Sequence, residues 1–278
     1  MTNTQIQEQS KILVPKRIIT NLEGKEFYNN SVPEALKSLQ KEGYTPVYMP
    51  QLADARIEAD GDSRVWQTWF TTPSIRATGR TKQGNPVVVY AHTNNYLSTP
   101  ENIEQAISEG LVNNAGRIPQ GEFQRLVDLE GLTDESGNKL VFLVDYDKFR
   151  NSPSGLINVS DALEHPQVIP FLGGEERAQR YLEKHKTVFG PRIGVWYTDD
   201  LRDEPLARLL YLGDYDDGLG GLNYLGYGAR FLGVRDSAEG ASSKIPKPSI
   251  DQVLKIAEDY LGRASLRDFT ERVHKLSK

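Results

Sequence analysis

Trp66-Gln-Thr-Trp-Phe-Thr-Thr-Pro-Ser-Ile-Arg-Ala-Thr-Gly-Arg-Thr-Lys-Gln-Gly-Asn-Pro-Val-Val-Val-Tyr-Ala-His92 packs aromatic mass, basic side chains, hydroxyls and an apolar run into one stretch that ends on a histidine. It reads as two strands joined at Gln83-Gly84-Asn85-Pro86, because Gly and Asn supply turn conformations and Val87 to Ala91 is apolar and β-branched. In an extended first arm, Arg76, Thr78, Arg80 and Lys82 share one face and Ile75 and Ala77 the other. Guanidinium forks and orientable hydroxyls are the donors an anion needs, so Ser74, Arg76, Thr78, Arg80 and Lys82, with Thr81, form a candidate anion cradle. The competing reading is a solvated strand face, where Thr follows strand propensity and charges block edge pairing.

His92 ends the apolar arm and precedes Thr93, Asn94 and Asn95, a position suited to an acid/base role or to fixing the next loop. Leu140-Val-Phe-Leu-Val144 reads as a strand covered on both faces, with Asp145 emerging at its C-terminal edge as the candidate that orients or deprotonates a substrate. His165, His185 and His274 read as surface or helix-terminal residues.

Working outward, Ser31, Pro33 and Glu34 mark a helix start, and Gly43 its end. Tyr44 to Met49 reads as an edge strand beside Pro46 and Pro50. Further helices are predicted from Thr99-Pro100 to Gly110, over Pro119 to Leu129, and from Gly173-Gly174 through Lys186, with a strand at Ile193 to Tyr197. Trp66, Trp69 and Phe70 read as core aromatics. This alternation predicts an α+β or α/β fold: a single mixed sheet domain over residues 11–235, flanked by helices. Residues 1–10 read as a tail and 236–248 as a linker. Ser249 to Lys278 reads as a C-terminal pair of capped helices that must dock elsewhere.

Composition narrows the chemistry. The 278 residues are 38% hydrophobic and 26% charged with a formal net charge of -5, so no global basic field favours nucleic acid. Cysteine is absent, which excludes disulfides, thiolate nucleophiles and Cys-ligated metals. No apolar run reaches membrane-spanning length and Met1 to Ser10 is polar, which predicts a cytosolic protein without membrane association. Specific motifs fail. Gly218-Leu-Gly220 meets Asn223 where a dinucleotide fingerprint needs glycine, and Asp214, Asp216 and Asp217 lack the spacing and the later Glu of a calcium loop. Glu175 and Glu176 occupy the first turn after Gly173-Gly174, where a phosphate would have to sit. No cofactor or metal site is specified. The glycine- and tyrosine-rich segment 213–233 reads as a loop that covers a ligand.

Val89-Tyr90-Ala91-His92-Thr93, followed by a helix ending Ile107-Ser-Glu-Gly110-Leu111, resembles the opening of ADP-ribosyltransferase domains. There a strand ends in His-Gly-Ser/Thr that grips the nicotinamide ribose, and the resemblance implies an NAD-binding domain. It spans about twenty residues, and Ala91-His92-Thr93 lacks the glycine that follows the family's histidine.

The sequence thus points first to an enzyme binding a phosphate-bearing or nucleotide-like small molecule for group transfer or hydrolysis. Arg76, Arg80 and Lys82 would hold the anion, with His92 and Asp145 as acid/base groups. Second stands a non-catalytic module that docks a protein partner through residues 249–278 and the Gly/Tyr segment. Nucleic-acid binding ranks third.

Overall fold

The computed structural model describes residues 24–221 and 225–235, with only the backbone of Asp216. The predicted tail, linker and C-terminal helical pair lie outside the described residues. The strands are β1 (Gly24–Asn29), β2 (Thr45–Pro46), β3 (Phe70–Arg80), β4 (Pro86–Ala91), β5 (Gly116–Arg117) and β6 (Val141–Asp145). They continue as β7 (Gly155–Asn158), β8 (Arg192–Trp196), β9 (Leu206–Leu212), β10 (Leu219–Gly220) and β11 (Ala229–Val234). All belong to one 11-stranded sheet whose main path runs β1-β11-β3-β9-β10-β8-β7. β4 joins on β3 and carries β6, while β2 and β5 add to β11 and β9.

β3 is the axis of this sheet. Every residue from Phe70 to Gly79 is buried and Arg80 alone is exposed. The predicted hairpin forms, with Ile75 to Arg80 antiparallel to Ala91 to Pro86, and the other edge of β3 pairs with β9. The β3–β9 register shifts between Thr71 and Ile75, around Pro73, a residue that cannot donate to a ladder. Near its start, β3 meets β11 in a parallel pairing at Thr71↔Phe231.

Side chains that alternate along these strands feed two cores. Ile75, Ala77, Val89, Ala91 and Leu209 pack with Leu36 and Leu39 of α1 (Val32–Lys41). Val88, Tyr90, Leu210 and Leu212 pack on the opposite side with Leu52 of α2 (Met49–Glu58). Ile103 of α3 (Pro100–Ser108) and Phe123 and Leu126 of α4 (Gln120–Asp128) complete the first cluster. Phe149 of α5 (Tyr146–Arg150), Phe171 of α6 (Val168–Leu172) and Tyr181 of α7 (Glu175–Phe189) complete the second.

The expected plain α+β or α/β domain is corrected in four places. Leu206–Leu212 is a long buried strand where no element was predicted. The predicted Gly/Tyr loop contains β10 and β11. β11 returns to pair antiparallel with β1 along its whole length, from Gly24↔Val234 to Asn29↔Ala229, so the first and last described strands close on each other. Tyr44 to Met49 shrinks to the two-residue β2, because α2 already begins at Met49.

Candidate binding surface

The predicted anion strip is divided by the sheet. Ser74, Arg76 and Thr78 share a face, but that face is interior. Arg76 is held by Asp200 and by the Thr198 carbonyl at 3.1 Å, with its guanidinium carbon 5.2 Å from the centre of the Phe149 ring. Arg80 is exposed and donates to Gly84 O in its own turn at 3.1 Å. Lys82 projects to solvent 3.9 Å from Asp128. Arg76 is therefore shut inside while Arg80 and Lys82 stand at the exposed hairpin end.

His92 is wholly buried. Its Nε2 lies 2.8 Å from Pro170 O, which can only accept, so Nε2 carries the proton and Nδ1 accepts from the Ser74 hydroxyl at 3.0 Å. The Ser74 oxygen in turn accepts from the Met49 amide at 2.8 Å. Burial pushes the imidazole down to about 4, against the Pro170 hydrogen bond that favours its charged form. Both ring nitrogens are occupied in joining β3, β4, α2 and α6. Asp145 is exposed and caps α5, accepting from the Lys148 amide at 2.9 Å. His165 and His185 are buried, not superficial.

A groove of about 320 Å³ opens beside Gly173 and Gly174. Its cations are engaged: Arg177 with Asp54 at 2.8 Å, Arg180 with Glu58 at 2.7 Å and Lys139 with Glu130 at 3.6 Å. Among the described residues no His, Cys, Asp and Glu side chains group as a metal site requires.

The exposed chemistry lies elsewhere, where β1 meets β11. Tyr28 and Arg230 are directly paired across the strands, and their side chains leave the face opposite the buried Phe27–Phe231 pair. The Arg230 guanidinium sits 5.1 Å from the Tyr28 ring centre and 5.5 Å from that of Trp69, which precedes β3. Tyr28 and Trp69 meet edge-on at 6.3 Å. Arg230 donates to Glu26 at 2.9 Å, and Arg64 grips the same carboxylate. Partial burial would raise the Glu26 carboxyl, but hydrogen bonds from Arg64 and Arg230 outweigh it and hold the group below its ordinary value. Tyr227 adds a second exposed ring just ahead of β11. Gly228 follows it, where a Cβ would lie 2.9 Å from Asn29 O, so only glycine lets the two segments approach. Tyr28 is 54% and Tyr227 63% exposed, and few large apolar side chains among the described residues are exposed.

No protein-family model and no curated protein matches the sequence. A solved structure from Nanoarchaeota does, described as showing the accommodation of massive sequence variation by the C-type lectin fold. It is 57% identical, covers 78% of this chain and 100% of its own, and superposes with a TM-score of 0.72. The chain belongs to the C-type lectin fold family.

Membership corrects the functional expectations together with the fold class. A C-type lectin fold conflicts with a nucleotide- or phosphate-binding transferase or hydrolase, and with phosphorylated or nucleotide-like small molecules as partners. The short ADP-ribosyltransferase resemblance fails likewise, because its histidine serves the interior of a C-type lectin fold. No described helix is long and apolar enough to cross a membrane. Sequence reasoning missed Tyr28 and Arg230 because their pairing spans most of the chain, and assigned Trp69 to the core. The recurrent Tyr and Gly before Arg230 were the available signal.

Proposed function

We propose that this protein is a non-enzymatic binding module that presents the Tyr28–Trp69–Arg230 platform, with Tyr227 beside it, to the surface of a protein ligand. The carrying observation is a half-buried Arg230, paired with the exposed Tyr28 across β1 and β11 and stacked against Trp69, with exposed Tyr227 just ahead of β11. Tyr, Trp and Arg are the residue types that dominate protein–protein hot spots, and their stiff rings add contact area at little entropic cost.

The likeness to a fold described as accommodating massive sequence variation supports this reading. Side chains 28, 227 and 230 stand on a frame whose cores do not depend on them, so their identity can change with the ligand. The test is a library of the full chain randomised at Tyr28, Tyr227 and Arg230, scored first for folding and then panned against unrelated immobilised proteins. Most members should fold, and selected binders should lose their targets when the three original residues are restored. Wholesale unfolding, or binders that survive that restoration, would overturn the assignment.

A further inference from the structure

β1 ends the main path of the sheet, and among the described residues it pairs with β11 alone. Along a strand, the N–H and C=O of one residue point to one side and those of its neighbours to the other. The Leu232 carbonyl accepts from the Val47 amide at 3.0 Å, so Leu232 is turned away from β1. Phe231 and Gly233 are therefore turned toward β1, where they face Phe27 and Lys25. By the same alternation, Glu26 and Tyr28 direct their main-chain groups away from β11, onto the edge that no described strand covers.

These two residues also belong to the platform. Their side chains share a face with Arg230, so Glu26 and Tyr28 each offer an N–H and a C=O on the edge, and a carboxylate and a ring on the face. The two sets of edge groups are about 7 Å apart, the repeat at which an extended chain presents its own. Charged side chains commonly guard such edges. Here Lys25 is drawn to Glu42, and Glu26 to Arg64 and Arg230. The platform is short of negative charge as well, since Arg64 and Arg230 share the one carboxylate of Glu26 and Arg64 is largely exposed. β7, at the other end of the path, is a shorter template of four residues against six in β1.

We propose, resting on the platform function above, that the protein ligand is bound through an extended segment that adds to β1 as a further strand. Its main chain pairs with Glu26 and Tyr28, an acidic side chain lies against Arg64, and an apolar or aromatic one lies against the Tyr28 ring. Residues opposite Glu26 and Tyr28 are two apart, so both project onto the platform face. Glu26 is outweighed there by two guanidiniums, which is why an acidic neighbour is favoured. Main-chain bonds read no sequence. They supply affinity that survives replacement of the platform side chains, while those side chains choose among ligands.

The probe is a displayed library of short linear peptides of random sequence, panned against the full chain. Enriched peptides should carry an acidic residue two positions from an apolar or aromatic one. Methylating their backbone nitrogens one at a time should weaken binding about tenfold or more at alternate positions and little between them, because every second amide faces β1. Amide hydrogen exchange followed by NMR reads the protein side. In the free chain Phe27 should be protected while Glu26 and Tyr28 exchange quickly, and bound peptide should slow the latter two about tenfold or more. Tyr28→Ser should weaken the peptides yet leave positions 26 and 28 protected at saturation, which a contact through side chains alone would not do. Glu26 and Tyr28 amides already protected in the free chain, a methylation scan without alternation, or no enriched peptide at all overturns the proposal. Folded proteins captured by the library at Tyr28, Tyr227 and Arg230 while the edge amides still exchange quickly would sustain the platform and sink the added strand. A library that yields no binder sinks the platform itself, and the added strand with it.

Discussion

The two regions where arginine meets aromatic rings and a carboxylate use the same parts in opposite surroundings. At the platform, Arg230 lies between Tyr28 and Trp69 and touches Glu26, with Arg64 at its rim 67% exposed. In the interior, Arg76 lies on Phe149 and shares Asp200 with Arg208, all sealed from solvent. Water reaches the first set at Tyr28 and Arg64 and screens the charges at that rim, so the contacts there are weak and replaceable. Nothing does so for the second. On the function proposed above, the difference would let one sheet keep its shape while residues at the platform's rim are replaced.

The sharpest way to break the comparison is Asp200→Ala. Removing the shared carboxylate strands two buried guanidiniums and should cost about 3–5 kcal/mol, read as a lower urea midpoint. Acid should separate interior from surface next. His92 is neutral and titrates near 4 when folded, below its ordinary value of 6.5. The unfolded chain therefore takes up the proton first, so stability is complete above about pH 6.5 and falls as pH drops toward 4, by up to about 3 kcal/mol. Lowered Glu26 works in the same direction at lower pH. His92→Gln should flatten the Tm profile between pH 6.5 and 4, and a slope unchanged by that substitution would assign it to other groups. Arg230→Ala loses two half-buried ring contacts and one ion pair, for about 1 kcal/mol. Smallest of all, Tyr227→Ser should move stability by less than about 0.5 kcal/mol. A large loss there would place Tyr227 in the frame instead of on its surface.

Local signals in the sequence were good guides to local structure. The Gly84-Asn85 turn between two strand-like arms gave the hairpin, and the Thr99-Pro100 and Gly173-Gly174 starts gave α3 and α7. Period-two alternation also put Ser74, Arg76 and Thr78 on one face, yet could not tell whether that face met water or protein. A charged residue is exposed by default, and the partner that reverses the default for Arg76 lies at Asp200, 124 residues away. Arg208 within Leu-Ala-Arg-Leu-Leu-Tyr-Leu was the legible warning, a charge embedded in an otherwise apolar run. The platform was illegible for the same reason. Tyr28, Trp69 and Arg230 become neighbours only through strand pairings that no short window contains.

The pairing of β1 with β11 also has a temporal meaning. Glu26 and Arg230 are 204 residues apart in the chain. A ribosome adding ~5–20 residues per second needs roughly 10–40 s to bridge that interval, and the first strand must wait with its edge unpaired. Such late closure places the protein among slowly folding topologies. Its nascent form is the stage at which chaperones and neighbouring chains compete for β1, and the arrival of β11 ends that competition.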